Sequence, residues 1–417
     1  MKFHSHLNTA IALLKAYDGK IPFSAYIKNH FRENKKFGSS DRKNIGNCCY
    51  SYFRLGNALN DIPIDEKILC GLFLTGFAND PMLHFFRPDW NEQLANTYLD
   101  LQTRIDFLRR FYPSFDIVSI FKWLELLSTS IVRQPFIESH LQQPDLFTRI
   151  RPGHCENVIH KLSTLQLPGL NSSQTKIEIH QTPNSISRPH TPNSKLLKSP
   201  TLSFAPGFDV DKHFLIDKEL VIQDLNSQRI AEFLTAIDEP VNQVWDCCAG
   251  SGGKSILAVD HLPGIQLTVS DIRESILENL KKRFYAAGIM KYKSFTSDLT
   301  KNKASLPATE FDLIIADVPC SGSGTWSRTP EQLIHFRNDK IAQYVQIQKA
   351  IVSNALKRLR PGGWLLYITC SVFAMENETM IDFLVQHHPV QVIQQDLLKG
   401  YDIRADSLFA ALLRKKS

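Results

Sequence analysis

Nowhere do the 417 residues of this chain run 18 apolar in a row, so no membrane-spanning helix is expected. The N-terminal stretch MKFHSHLNTAIALLKAYDGK lacks a long apolar core ahead of a small-residue cleavage site. It reads as the start of an amphipathic helix and not as a secretion signal, and a cytoplasmic location is the expectation. The eight cysteines (Cys48, Cys49, Cys70, Cys155, Cys247, Cys248, Cys320 and Cys370) include no C-x-x-C pair. That speaks against a zinc site or a redox dithiol; no metal is expected, and the thiols should be reduced. Strong charge is missing too. A net charge of +6 permits a nucleic-acid partner without requiring one. The 43% hydrophobic and 22% charged content is that of a globular protein long enough for two or three domains. Nothing demands more than a monomer.

The charge that is present is uneven. Residues 1–60 hold ten Lys and Arg against three acids (Asp18, Glu33 and Asp41), a net of +7, which a solvated helical face would explain. Residues 1–132 read as a helical bundle. Apolar positions recur at three- and four-residue spacing in LNTAIALLKAY, FSAYIKNHF, NIGNCCYSYFRLGNAL, DEKILCGLFLTGF and FDIVSIFKWLELLSTS, with Ser40 or Asp41 as a helix N-cap in SSDRKNIG. Residues 133–215 read as a small, loop-rich α+β module. DLFTRIRP and KIEIH are its strands, ENVIHKLSTL is its helix, and TPNS occurs twice, at Thr182 and Thr191, as loop composition.

Across residues 216–417, strands NQVWD, IQLTVSD, KSFTSD, FDLIIADV and GGWLLYITCS alternate with the helical stretches GKSILAVDHL, ESILENLKKRFYAAG, DKIAQYVQIQKAIVSNALKRL and NETMIDFLVQHH. Pro361-Gly362-Gly363 is expected to turn the preceding helix into the last strand. The pattern predicts an α/β domain with a mostly parallel sheet covered on both faces. In such sheets ligands sit beyond the carboxyl ends of the strands, where Asp246, Asp271, Asp298, Asp317 and Cys370 all fall.

The glycine-rich stretch QVWDCCAGSGGKS looks like a phosphate cradle but lacks its first glycine. A P-loop, G-x-x-x-x-G-K-[ST], needs glycine where Cys248 stands. The third spaced glycine of a dinucleotide fingerprint is absent as well. Asp271 lies 18 residues beyond Gly253, a distance at which an acid accepts hydrogen bonds from ribose hydroxyls. A nucleoside without phosphate fits better, namely S-adenosyl-L-methionine, with glycines letting the backbone approach its methionine portion. Asp298 could accept from the adenine amino group. A lone carboxylate at a strand end is commonly a helix cap; four at consecutive strand ends are harder to explain that way.

Two cysteines complete the pattern. Enzymes that methylate exocyclic amines usually show [DN]-P-P-[YF] after the fourth strand, whereas here Asp317-Val318-Pro319-Cys320 stands. Cys370 ends the next strand. A strand cysteine is most often core filler, but two at strand ends beside a nucleoside loop suggest chemistry. C5 of cytosine is a poor nucleophile until a thiolate adds to C6 and makes the ring an enamine. One thiolate, one acid near N3 and one base suffice, and Cys370, Asp317 and Cys320 could fill these roles. The residues by themselves leave open which cysteine attacks. A methyltransferase acting elsewhere, a non-catalytic RNA-binding assembly factor and an NTPase are the other readings.

At this point the chain resembles the Nol/Nop/Sun family of RNA cytosine-5 methyltransferases, in its bacterial RsmB/Sun-like form. Asp246-Cys247-Cys248-Ala249-Gly250-Ser251-Gly252-Gly253-Lys254 resembles the family's D-x-C-A-A-P-G-G-K, with Gly250 and Ser251 in place of Ala and Pro. DVPCSGSG matches D-x-P-C-S-G-x-G, TCSVFAMENE matches T-C-S followed by E-N-E, VIQDLNSQ resembles V-Q-D-x-x-S-Q, and DSLFAALLRK is a weaker form of the ending. The resemblance implies a Rossmann-like class I methyltransferase domain. It makes Cys370 the nucleophile and gives Cys320 the release of product. Cofactor contacts would come from Cys248, Ala249, Gly250, Ser251, Gly252, Gly253, Lys254 and Asp271, with Asp298 and Asp317 completing the pocket. Asp41, Arg42, Tyr50 and Arg54 are similar to a stretch of the NusB-like domain that precedes the catalytic part in bacterial members. That implies an RNA substrate, small-subunit rRNA in particular, with tRNA or another RNA as the alternative, and makes the basic N-terminus an RNA-docking face. The middle module would be RRM-like.

Overall fold

The first four apolar patterns fold as their spacing predicts. In the computed structural model, which describes residues 2–76, 80–96, 100–164, 178–180, 200–301 and 303–417, they form α1 (Lys2–Ala16), α2 (Phe23–Glu33), α3 (Ser39–Arg54) and α4 (Ile64–Thr75). Four shorter helices follow: α5 (Pro81–Phe86), α6 (Pro88–Asn96), α7 (Leu101–Arg109) and α8 (Arg133–Ser139). Residues 1–127, 131–143 and 325–338 make up one of the two units of the chain.

Two local expectations are corrected in this unit. The N-cap of α3 is Gly38, not Ser40 or Asp41. Asp41 sits within the first turn, where its Oδ2 accepts the Gly38 N–H at 3.0 Å and its charge faces the positive end of the helix. The stretch FDIVSIFKWLELLSTS forms no α-helix, only 3-10 turns at Ile117–Ile120 and Leu124–Leu126. Asp116 caps the Val118 N–H at 3.0 Å, and Phe121 is extended. This path buries Ile117, Ile120, Phe121 and Trp123 together, so tertiary burial outweighs helical spacing. Their neighbour comes from the distant 325–338 segment. Trp326 is 1% exposed, with ring centroids of Phe336, Trp123 and Phe121 at 4.8, 5.1 and 5.6 Å.

The second unit comprises residues 128–130, 144–324 and 339–417. It begins with β1 (Leu146–Ile150), α9 (Cys155–Thr164), β2 (Glu178–His180), β3 (Thr201–Phe204) and β4 (Leu220–Ile222). These strands form an antiparallel sheet in the order β2-β3-β1-β4. Ile150, Val158, Leu202, Phe204, Val210, Phe214 and Leu220 form its core. Strands β3 and β4, of four and three residues, carry too few for a readable alternation. Both TPNS copies lie outside the described residues.

The rest is α10 (Leu225–Thr235), β5 (Gln243–Asp246), α11 (Gly253–His261), β6 (Gln266–Asp271), α12 (Glu274–Ala286), β7 (Tyr292–Thr296) and β8 (Phe311–Asp317). After the short α13 (Gln332–His335), which counts with the first unit, come α14 (Asp339–Ala355), β9 (Leu359–Thr369), α15 (Glu378–His387), β10 (Val390–Leu398) and β11 (Leu408–Lys415). Seven strands pair in the order β10-β11-β9-β8-β5-β6-β7, with β11 antiparallel to both neighbours and the remaining pairs parallel. Val244, Leu313, Ile315, Leu366 and Ile368 are fully covered, each contributing roughly 1.5–3 kcal/mol of burial.

Strands β10 and β11 had no counterpart among the predicted strands. Pro361-Gly362-Gly363 is also corrected: it is a bulge inside β9, not a turn ahead of it. Pairing jumps from Phe311↔Leu359 to Leu313↔Trp364, and Gly362, at φ +71°, absorbs the extra length. No helix among the described residues is long and apolar enough to cross a membrane.

Trp326→Ala should destabilise the first unit by about 3–5 kcal/mol, because it empties a large site walled by other aromatics. Chemical denaturation of the variant beside the parent checks this.

Candidate active site

The chain leaves β5 tied to both neighbouring strands. The Cys247 N–H donates to Ile315 O and the Ala249 N–H to Ser270 O, each at 2.9 Å. Gly252 N–H then closes onto Ala249 O at 2.8 Å. Gly252 has φ +88°, and a Cβ there would come within 2.7 Å of the Phe284 ring, so no other residue fits the turn. Asp271, at the end of β6, accepts the Gly250 N–H on Oδ2 at 3.0 Å and the Arg273 N–H on Oδ1 at 2.9 Å. A Cβ on Gly250 would meet nothing within 4 Å, so the turn borders open space beside this carboxylate.

Asp246 is fully buried. Ser255 Oγ donates to its Oδ2 at 2.6 Å, while Oδ1 has no hydrogen-bond partner of normal geometry among the described residues. Burial pushes its pKa up to about 7. The Cys248 thiol is raised as well, first by its hydrogen bond with the Cys247 thiol and then by burial. Lys254 Nζ donates to Ser227 Oγ at 2.8 Å and pairs with Asp317 Oδ2 at 3.2 Å. Burial opposes the charge of Lys254, but Asp317, Cys370 and Asp246 around it outweigh that, and its pKa is raised. Asp298 lies two residues beyond β7 and is bonded locally. Thr300 donates to it from Oγ1 at 2.6 Å, which holds its carboxyl below the usual range.

The second half of the site is a loop facing a strand end. Cys320 follows β8 and Cys370 follows β9. The Cys370 N–H donates to Cys320 Sγ at 3.3 Å, and the two thiols are hydrogen-bonded. That thiol contact, followed by burial, raises the Cys320 pKa well above its ordinary value. Gly324 N–H donates to Cys370 O and Ser407 N–H to Gly324 O, both at 2.9 Å. A Cβ on Gly324 would lie 2.0 Å from Ser407 O, so glycine is what lets the three backbones meet.

Residues not assigned from sequence hold this loop. Glu376 is fully buried and accepts from Ser321 N–H at 2.9 Å, Gln348 Nε2 at 3.0 Å, Ser371 Oγ at 2.6 Å and the Ser321 hydroxyl. One carboxylate thus binds the residue after each cysteine. Asn377 donates to Ser371 O at 3.0 Å and accepts from Thr369 Oγ1 at 2.6 Å, bracing the other side of Cys370. The signal was the Glu376-Asn377-Glu378 tract, which matched a motif without a role. Asp246, Lys254, Asp317, Cys320 and Cys370 are brought together, Asp271 is joined to the glycine turn, and Asp298 bonds within its own turn to Thr300 and Lys301.

A sheet in this strand order, with one reversed strand and a glycine turn after β5, is the Rossmann-like fold of class I methyltransferases. Residues 234–408 match the model of the family described as 16S rRNA methyltransferase RsmB/F. The ribosomal RNA small subunit methyltransferase B of Proteus mirabilis is 29% identical over 289 residues, 68% of this chain and 62% of that protein. Its namesake from Xanthomonas campestris pv. campestris is 32% identical over 169 residues, 40% of this chain and 38% of the relative. The chain therefore spans less than two thirds of the length of these curated relatives. Among solved structures, PH0851 superposes with a TM-score of 0.61 at 18% identity, covering 93% of both chains. A methyltransferase homologue from Pyrococcus horikoshii gives 0.51 at 19% identity over 75% of this chain and 98% of the other. At these identities the likeness concerns the fold.

Two measurements probe the site. Glu376→Ala removes the acceptor of four buried donors and should cost about 3–5 kcal/mol in denaturant melts. The pKa of Asp246 is raised in the folded state, so its contribution to stability is complete near pH 4 and lost as pH rises through about 7. Urea melts across that window should show the parent losing on the order of 2–4 kcal/mol relative to Asp246→Asn.

Proposed function

We infer that the protein transfers a methyl group from S-adenosyl-L-methionine to C5 of a cytosine in RNA, with small-subunit rRNA as the substrate. What carries this reading is the pair of thiols. Cys320 and Cys370 touch at neighbouring strand ends, and Lys254 links that point to the glycine turn. Ordinary core cysteines do not require a buried carboxylate that braces the residues following both.

The residues fit the cofactor. The turn Cys248–Lys254 borders open space at Gly250, and in this reading Asp271, which already binds the turn, would also accept from ribose hydroxyls while Asp298 and Asp317 would complete the pocket. The bound cofactor supplies an electrophilic methyl on a sulfonium. Cys370 Sγ would add as the thiolate to C6 of the cytosine, with Asp317 as the acid that would supply a proton at N3 as electrons move into the ring. The activated C5 would accept that methyl, the sulfonium leaving as a neutral thioether; the C5 proton would then pass to a base as the Sγ–C6 bond breaks, with Cys320 assisting. The target base must be unstacked or flipped, because C6 is unreachable inside a helix.

Around this catalysis, residues 1–132 form a NusB-like helical region whose basic face docks RNA, residues 133–215 an RRM-like module, and residues 216–417 the methyltransferase domain. The protein works as a monomer in the cytoplasm. The names of its relatives support rRNA as the substrate class.

Cys370→Ala should abolish incorporation of labelled methyl into RNA, and Cys320→Ala should accumulate a protein–RNA adduct that survives denaturing gels. Full activity in Cys370→Ala would overturn the mechanism. Bisulfite sequencing of rRNA and tRNA from cells with and without the gene identifies the target.

A further inference from the structure

The cofactor turn of this chain carries Gly250-Ser251 where the resembling family has Ala-Pro, so the ring that would stiffen the turn is missing. In its place stands an arginine. Arg283 NH1 donates to both Ser251 O and Ser251 Oγ at 3.1 Å. The rest of its guanidinium forks onto Asp217, Nε to Oδ2 at 2.9 Å and NH2 to Oδ1 at 2.7 Å. Such a two-pronged pair fixes the plane of the guanidinium, and with it the direction of the hydrogens aimed at Ser251.

Asp217 is itself held firmly. It is 5% exposed and adopts φ +63°, a conformation uncommon outside glycine. Its N–H donates to Leu220 O at 2.7 Å, and its carbonyl accepts from Arg151 NH1 at 3.1 Å. Arg151 in turn pairs with Asp260 Oδ1 at 2.7 Å. On α12, Leu280, Arg283 and Phe284 share one face. Leu280 and Phe284 press on Gly252 while Arg283 grips Ser251. The same helix starts three residues after Asp271, which binds Gly250. Every residue from Gly250 to Gly252 is therefore held from α12 or from the strand end that leads into it.

We propose that Arg283, oriented by Asp217, is a positioning residue for cofactor binding: it holds Ser251 and so does by hydrogen bonding what a proline would do covalently. It does not reach the reacting atoms. This rests on the assignment of the turn to S-adenosyl-L-methionine, and it makes a specific demand. Loss of the clamp must loosen the cofactor without touching RNA binding, and a proline at 251 must make the clamp dispensable.

The test uses the full chain and calorimetric titration with S-adenosylhomocysteine, well below the melting temperature of each variant. Arg283→Ala should weaken binding about tenfold, equivalent to roughly 1.4 kcal/mol, and raise KM for S-adenosylmethionine with kcat and KM for RNA unchanged. Ser251→Ala, which keeps the Arg283–Asp217 pair and one of the two contacts, should weaken it by about threefold. Ser251→Pro in the Arg283→Ala background should restore binding to near the parent value. A parent protein that binds neither compound refutes the proposed function itself. A parent that binds, with Arg283→Ala binding equally well or with Ser251→Pro giving no rescue, refutes the clamp alone. A lowered melting temperature with unchanged affinity would mean that Arg283 serves only the fold, and would equally refute it.

Discussion

The site depends on the parallel register of β8 and β9. Asp317 pairs with Ile368, so the two strands end level. Cys320 lies three residues past one partner and Cys370 two past the other, and both chains turn at the same height. Only a parallel pair brings residues 50 apart in sequence to such a level edge while a crossover covers the sheet. The thiol contact, the ion pair of Lys254 with Asp317 and the placement of the glycine turn over the neighbouring strand end are consequences of that alignment.

Level ends alone would leave two loose loops, and buried polar contacts remove that freedom. Glu376 collects four donors from the loop after β8, the loop after β9 and α14. A buried carboxylate is costly unless its lone pairs are filled, and here they are. Gly324 completes the arrangement by allowing the backbones of Cys370, Gly324 and Ser407 to lie in direct contact. Strand β11, which follows Ser407, thereby becomes part of the frame of the site even though it carries no reacting group. On the cofactor side, packing of Leu280 and Phe284 and the hydrogen bonds of Arg283 play the corresponding part.

Much of this was legible from local pattern. Long amphipathic helices such as α12 and α14 and continuous apolar strands such as β8 declare themselves, because one face or both must be buried. The acids at the ends of β5, β6 and β8 and the two cysteines were readable from their position after those strands. Where the reading failed, a distant contact had outweighed a local preference. Residues 115–130 have helical spacing but take an irregular path, because Phe121 and Trp123 pack with Trp326, more than 200 positions away. The Pro-Gly-Gly of β9 looks like a turn and is a bulge, because the flanking residues are claimed by β8.

The sequence by itself determined the chemistry on offer: which side chains can attack, accept or carry charge, and on which side of an α/β sheet they fall. Those properties follow from residue type and from short-range periodicity. Tertiary structure alone decided which of them meet. That Glu376 braces both cysteine loops, that Asp298 bonds its own turn, and that Arg283 reaches Ser251 depend on distances closed by strand order and helix packing. Such distances are set by the burial of the whole sheet, which no short stretch of residues encodes.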